Sequence, residues 1–346
     1  MGESIKYRHE PLNHFMECRV IWSDRINGRT LDTMKTTIFV TGATGCIGHY
    51  VLDELHKSFP DAQVHALVRD QGRFKGDIGR WPNLICHPGS MDDIGQYKAV
   101  LQTCDHVIHI ATVWGYDLAV NLRINRDRTM EMLNYLDPER VKKIIYFSTA
   151  SILTKGNVVS PAARSEGTPY IQSKLAGYEA IKASKWANKV VTLFPTMVLG
   201  GDKSAPYSHI SQGVLDIRRY LWWARWVKLH GAFHFLHAED IAKMVTIGIQ
   251  RDDIPHDMVI GVNRQTFNAT ILAICKHLKK TPWIQLSIPA WVIRVMLWAL
   301  GSRVESWGAH CAKHPYFEYD THAPTDFGVP IRYPTFQSVL NQMGTL

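Results

Sequence analysis

Short apolar runs, each followed by a glycine or hydroxyl cluster and then by a stretch of helical spacing, recur along the first two thirds of the chain. Ile38-Phe39-Val40 is the first such run. Its apolar, partly β-branched composition without alternation predicts a strand buried on both faces. Ile47, Val51, Leu52 and Leu55 then fall at helical spacing, so a helix begins just beyond. The same reasoning predicts strands over Gln63–Val68, Leu84–Cys86, His106–Ile110, Lys143–Phe147 and Val190–Leu193. A helix is expected from Tyr170 through Leu175, Tyr178 and Ile181, and further on a strand over Val259–Val262 and a helix over Thr270–Leu278. Strands alternating with helices predict an α/β fold built on a doubly wound parallel sheet.

Between the first strand and its helix lie Gly42, Gly45 and Gly48, spaced Gly-x-x-Gly-x-x-Gly. A strand, a glycine turn and a helix start gather backbone N–H groups and the positive end of a helix dipole in one place, which suits the pyrophosphate of a dinucleotide. Gly42 would make the tight turn, Gly45 admit the phosphates and Gly48 let helix and strand pack. Thr44, Cys46 and Ile47 share the turn and are counted as cofactor-binding candidates with the glycines.

This spacing, preceded by Thr41, resembles the short-chain dehydrogenase/reductase superfamily in its extended form, which includes nucleotide-sugar epimerases and dehydratases, dihydroflavonol reductases and 3β-hydroxysteroid dehydrogenases. The resemblance implies a dinucleotide-binding Rossmann domain over 34–202. It also implies a mainly substrate-binding lobe over 203–346, from which 233–262 returns to the core. Val68 stands where relatives that use NAD carry an acid, and Arg69 follows it, with Arg73 and Lys75 in the next loop. An arginine there matches a ribose 2′-phosphate, so NADP(H) is preferred and NAD(H) possible; the alternative is a solvated loop charge. Ser90 replaces the family's adenine-contacting acid, while Met91 is placed to pack on the base. Ile110, Ala111 and Thr112 correspond to the segment lining the cofactor groove, and Asn125 to a bracing asparagine. Pro195 and Val198 are retained from the turn that abuts the nicotinamide amide, with Phe194 in place of the usual Arg or Tyr.

The chemistry centres on Tyr170 and Lys174, four residues apart on one helix face. A free phenol titrates near ~10, too high for proton exchange at neutral pH, and an adjacent ammonium favours the phenolate. Both residues are catalytic and cofactor-contacting candidates. In the family's alignment Thr149 matches the catalytic Ser/Thr, with Ser148 and Ser151 as alternatives because the usual Tyr-Gly after it is missing. The resulting expectation is an oxidoreductase that moves a hydride between nicotinamide and a carbonyl or hydroxyl substrate. A nucleotide-sugar epimerase with tightly bound cofactor is the second reading. A dehydratase would need an Asp-Glu pair where Ala150 and Ser151 stand. A non-enzymatic NADP(H)-sensing protein is the third, and the intact Tyr-Lys pair opposes it.

The remaining features narrow the setting. A net charge of +8 with scattered Lys and Arg suits an anionic small molecule or cofactor better than a nucleic acid. The six cysteines form no Cys-x-x-Cys pair and read as reduced thiols of a cytoplasmic protein. Residues 1–33 are polar and lack the apolar core of a signal peptide, so a flexible extension is expected before Met34-Lys35. Arg218, Arg219, Trp222, Trp223, Arg225 and Trp226 either bind an anion or planar ligand or form an amphipathic cover over the cleft. Ser287–Leu300 is apolar apart from Arg294 and is expected to pack over the substrate pocket rather than rest on a membrane surface. His234 and His237 have no accompanying acid-rich ligand set, so no metal is expected. Asp240 is expected to cap the following helix. The family resemblance further implies a homodimer.

Overall fold

β1 (Thr37–Thr41) alternates between two cores, Ile38 and Val40 entering one and Phe39 the other. Every residue of the strand is buried, as the unbroken apolar run requires. The same division recurs in β5 (Lys143–Phe147), where Ile145 faces the first core and Ile144 and Tyr146 the second. With β2 (Gln63–Val68), β3 (Leu84–Pro88), β4 (His106–His109), β6 (Val190–Pro195) and β7 (Asp257–Ile260), these strands form a parallel sheet of order β7-β6-β5-β4-β1-β2-β3. The order reverses at β1, so the crevice above β1 and β4 is the place where a doubly wound sheet takes its ligand. The computed structural model describes residues 35–217, 222, 225–228, 230–280, 284–287, 307, 310–311 and 314–344.

Helix α1 (Cys46–Ser58) packs on one face of the sheet with α5 (Ala238–Gln250), whose buried Ile241, Met244, Val245 and Ile249 fill the first core. On the opposite face lie α2 and α3 (Pro169–Lys182). α2 runs as α-helix over Leu118–Leu122 and Thr129–Asn134, joined by a π-helical segment over Arg123–Arg128. Such wide turns concentrate at functional positions. The chain continues through α4 (His209–Ile217), α6 (Phe267–His277) and α7 (Phe336–Met343).

Most element boundaries agree with expectation to within about two residues. One capping assignment is corrected. α5 starts at Ala238 and its N-cap is His237, whose ring accepts from the Glu239 N–H at 3.2 Å. Asp240 lies inside the helix, fully buried, and accepts the backbone N–H groups of Arg332 at 2.8 Å and Tyr333 at 3.0 Å. Its carboxylate therefore fastens the C-terminal segment to the core instead of capping the helix. The expectations for residues 1–33, Arg218, Arg219, Trp223 and most of Ser287–Leu300 lie outside the described residues. Among the described residues, no helix is long and apolar enough to cross a membrane, and no cluster of metal ligands exists. His234 instead bonds the Val262 carbonyl at 2.8 Å.

Candidate active site

The glycine turn has the shape its spacing predicts. Gly42 sits at φ +79°, and a Cβ there would lie 2.7 Å from the Ala111 backbone nitrogen. At Gly48 a Cβ would come within 2.3 Å of the Gly42 carbonyl oxygen. Those two glycines are thus fixed by the protein itself. Gly45 differs: it is exposed, and a Cβ would meet only the Gly42 oxygen at 3.4 Å. Its bareness leaves room on the open side of the turn. α1 begins there with no side-chain cap and no acid in its first turn, so its leading N–H groups are available to an anion. The cradle fits a dinucleotide pyrophosphate.

His49, a residue the sequence pattern does not distinguish from core, holds this turn in place. Its Nδ1 bonds the Gly45 carbonyl at 2.9 Å and its Nε2 accepts from the Lys75 N–H at 3.0 Å. These partners require a neutral ring protonated on Nδ1, and burial holds its pKa below the usual histidine range. Lys75 itself reaches the Asp202 carbonyl at 2.8 Å, so it is committed to the protein. Arg69 and Arg73 are exposed beyond the end of β2, and among the described residues no carboxylate engages either. The neighbouring acid, Asp70, caps the Gln71–Arg73 turn through the Gly72 N–H. Ser90 also serves as a cap: its hydroxyl accepts from Asp92 N–H and donates to Asp93, while Met91 is buried behind it.

Across the crevice, Ile110, Ala111 and Thr112 continue from β4. The Ala111 N–H donates to Thr41 Oγ1 at 3.2 Å. The Thr112 hydroxyl and Val113 N–H both donate to Asn125 Oδ1 at 3.0 Å, and Asn125 Nδ2 returns a bond to the Val113 carbonyl at 3.1 Å and another to Ser173 Oγ at 2.9 Å. Asn125 lies in the π-helical segment and Ser173 on α3. The asparagine thus ties the β4 loop to the helix that carries Tyr170 and Lys174. Pro195 is buried at the end of β6, and Val198 lies in a short strand that pairs in parallel with Phe235–His237.

Thr168 and Pro169 start α3, the threonine accepting from the Ile171 N–H and the proline occupying the first turn. That start sets Tyr170 and Lys174 over the end of β5. The Lys174 ammonium is 2% exposed and donates to the Phe147 carbonyl at 2.7 Å. Burial pushes its pKa down to about 7. Tyr146 presents its ring to the same ammonium 5.4 Å from the centroid. Tyr170 is half-buried; burial dominates and holds its pKa above the usual tyrosine value, while the Thr149 and Trp114 side chains beside its phenol favour the ionised form. Lys174 is therefore paired with backbone rather than with the phenol.

Thr149 also accepts from the Ser151 N–H at 3.3 Å, so it caps the next turn and faces Tyr170 at once. Ser148 Oγ is buried without a hydrogen-bond partner among the described residues. Trp114 was not legible as part of the site, since a lone loop aromatic carries no spacing signal.

The match to known sequences decides the family: the model for the NAD dependent epimerase/dehydratase family covers residues 38–261, more than half of the chain. The chain belongs to the NAD dependent epimerase/dehydratase family. No curated protein sequence matches it. Among solved structures, this family member resembles the Bordetella bronchiseptica enzyme WbmG, crystallised with NAD and UDP, at 16% identity and a TM-score of 0.63, over 89% of this chain and 94% of that one. It resembles dTDP-glucose 4,6-dehydratase from Bacillus anthracis, in complex with NAD, at 16% identity and a TM-score of 0.60, over 89% and 95% of the two chains. The terminal R domain of the myxalamid biosynthetic pathway matches at 16% identity and a TM-score of 0.64, over 89% of each chain. At these identities the likeness establishes a shared fold. Family membership makes the protein an enzyme of the extended short-chain dehydrogenase type that works with a nicotinamide dinucleotide.

Proposed function

We propose that the protein is an NAD(P)-dependent reductase or dehydrogenase acting on a carbonyl or carbinol carbon, with Tyr170 as the proton carrier. The observation that supports this most is the meeting of Tyr170, Thr149 and Lys174 at the carboxyl end of β5, with the lysine buried and bonded to Phe147. When bound, the nicotinamide supplies or accepts the hydride. Thr44, Gly45, Cys46 and Ile47 would hold the pyrophosphate in the turn that Gly42 and Gly48 shape, with Met91 and Ser90 on the adenine side and Ala111, Thr112, Pro195 and Val198 at the nicotinamide half. Tyr170 transfers its phenolic proton to the substrate oxygen, and Thr149 orients that oxygen by hydrogen bonding. Lys174 stabilises the phenolate electrostatically from beneath and offers its remaining N–H groups to the cofactor ribose. Residues beyond Gly201 supply the substrate lobe.

The exposed guanidinium of Arg69, with Asp70 engaged in a turn, favours NADP(H) over NAD(H). Arg69→Ala should reduce the NADP(H) preference by about tenfold or more, the worth of a charged hydrogen bond. Unchanged discrimination in paired titrations with both cofactors would reject the assignment.

Nucleotide-sugar epimerisation is the second reading, favoured by the family and by the UDP in the WbmG structure. Stoichiometry separates the two. Purified protein incubated with NADPH and a panel of carbonyls should consume cofactor in step with product. Turnover of a UDP-sugar with no net cofactor oxidation would replace reduction by epimerisation.

A further inference from the structure

Trp114 is 60% exposed beside the candidate site, yet its position is built with care. Asn125 holds Val113 on one side of it through both backbone groups, and Asn121 donates to the Gly115 carbonyl at 3.2 Å on the other. Both asparagines are buried to within 1% of completely. A loop clamped on each side of an exposed tryptophan fixes the direction in which that ring is presented. The ring packs 4.4 Å from Tyr170 at 32° and 5.4 Å from His209 at 30°. An indole covered on both faces would keep little more than its edges in solvent. An exposure of 60% therefore leaves most of one face open, next to the phenol that would transfer the proton.

Large apolar side chains are exposed around it on the same elements, while the polar ones there are engaged: Thr112 donates to Asn125, Asp117 accepts from the Ala119 and Val120 N–H groups, and the His209 ring packs on the indole. Tyr116, Leu118 and Val120 continue from the loop into α2 with 90%, 37% and 36% exposure, and Ile210 follows His209 at 41%. A polyhydroxyl ring needs hydrogen-bonding side chains around it, whereas these groups offer mainly dispersion and desolvation.

We infer that Trp114 is a substrate platform and that the site takes a planar, aromatic or conjugated carbonyl compound and its carbinol. This rests on the reductase reading and names its substrate class. The planar substituent would lie on the open indole face, with the carbonyl oxygen reaching the Tyr170 hydroxyl and the carbonyl carbon free to receive the hydride.

The test compares acetophenone with cyclohexyl methyl ketone, which share a carbon skeleton but differ in planarity. With NADPH, the wild-type protein should show a kcat/KM ratio favouring the aryl ketone by about threefold to tenfold, the worth of one aromatic stack. Trp114→Ala should bring that ratio close to one, and Trp114→Phe should retain most of it. A ratio cancels any effect of the indole N–H on Tyr170 itself. In parallel, 1-phenylethanol and 1-cyclohexylethanol are titrated calorimetrically into the NADPH-loaded protein, where neither alcohol can react, and the same ratio should appear and vanish. Turnover of both ketones with a ratio untouched by Trp114→Ala would overturn the platform and leave the reductase reading standing. An aryl preference in binding that Trp114→Ala removes, without turnover of either ketone, would support the platform and count against the reductase reading. A UDP-sugar whose binding alone depends on Trp114 would overturn the aromatic substrate class.

Discussion

Lys174 offers the most direct test of the site's electrostatics, because its burial has a consequence for stability that is independent of any substrate. The ammonium is removed from water with no carboxylate beside it among the described residues, and burial lowers its pKa from the ordinary 10.5 to about 7. Between those values the unfolded chain holds a proton that the folded chain has released, so the stability of the fold rises with pH across that window. Each pH step there contributes ~1.4 kcal/mol. From pH 7 to 9.5 the gain is roughly 3 kcal/mol, and stopping at 9.5 avoids ionisation of Tyr146 and Tyr170, whose pKa values burial pushes upward. Lys174→Met keeps the length and apolar stem but has no proton to lose. Urea unfolding at pH 6, 7.5 and 9.5 should therefore show wild type gaining roughly 3 kcal/mol over the variant as pH rises, with the variant the more stable protein at pH 6. Taking the difference between the two proteins removes the titration of every histidine they share. Parallel stability curves would mean that Lys174 stays solvated or is paired, and the electrostatic argument would fail.

Other outcomes rest on the same geometry. Tyr170→Phe should lower kcat by about 10²–10⁴ while cofactor affinity changes little, measured by steady-state kinetics and cofactor titration. Gly48→Ala places a methyl group 2.3 Å from the Gly42 oxygen and should cost about 3 kcal/mol or more, or prevent folding, as read by denaturant midpoint and soluble yield. Asp240→Asn replaces an acceptor of two backbone N–H groups and the Lys243 ammonium; it should destabilise by about 2–3 kcal/mol, with early hydrogen exchange at Arg332 and Tyr333.

Several of these features could be read from residue order alone, and others could not. The strands were legible because both faces of a parallel sheet are buried, which leaves uninterrupted apolar runs such as Ile38–Val40 and Lys143–Phe147. The glycine turn and the Tyr170–Lys174 pair come from local spacing, since a tight turn and a shared helix face are set within a few residues. Features made by distant partners left no such trace. Asp240 precedes an apolar helical stretch and resembles a cap, but its partners lie at Arg332 and Tyr333, far along the chain. His49 falls on the buried side of α1 and looks like packing, whereas its two ring nitrogens join the glycine turn to the loop at Lys75. The direction of Lys174 was also hidden: helical spacing brings it near Tyr170, and the Phe147 carbonyl decides where its charge ends.

The widened turn at Arg123–Arg128 holds one more residue than a regular helix would accommodate. Deleting a single exposed position there, such as Asp127, would let the helix relax into ordinary winding with its two halves nearly in phase, so the redirection falls on the side chains of the wide turn itself, Asn125 among them. Asn125 could then no longer face both the β4 loop and Ser173, and Trp114 would lose one of its two anchors. A local irregularity that costs the helix a little thus acts as the indexing pin of the whole crevice, and a one-residue slip in α2 should be felt first in the alignment of reactants and only later in whether the chain folds.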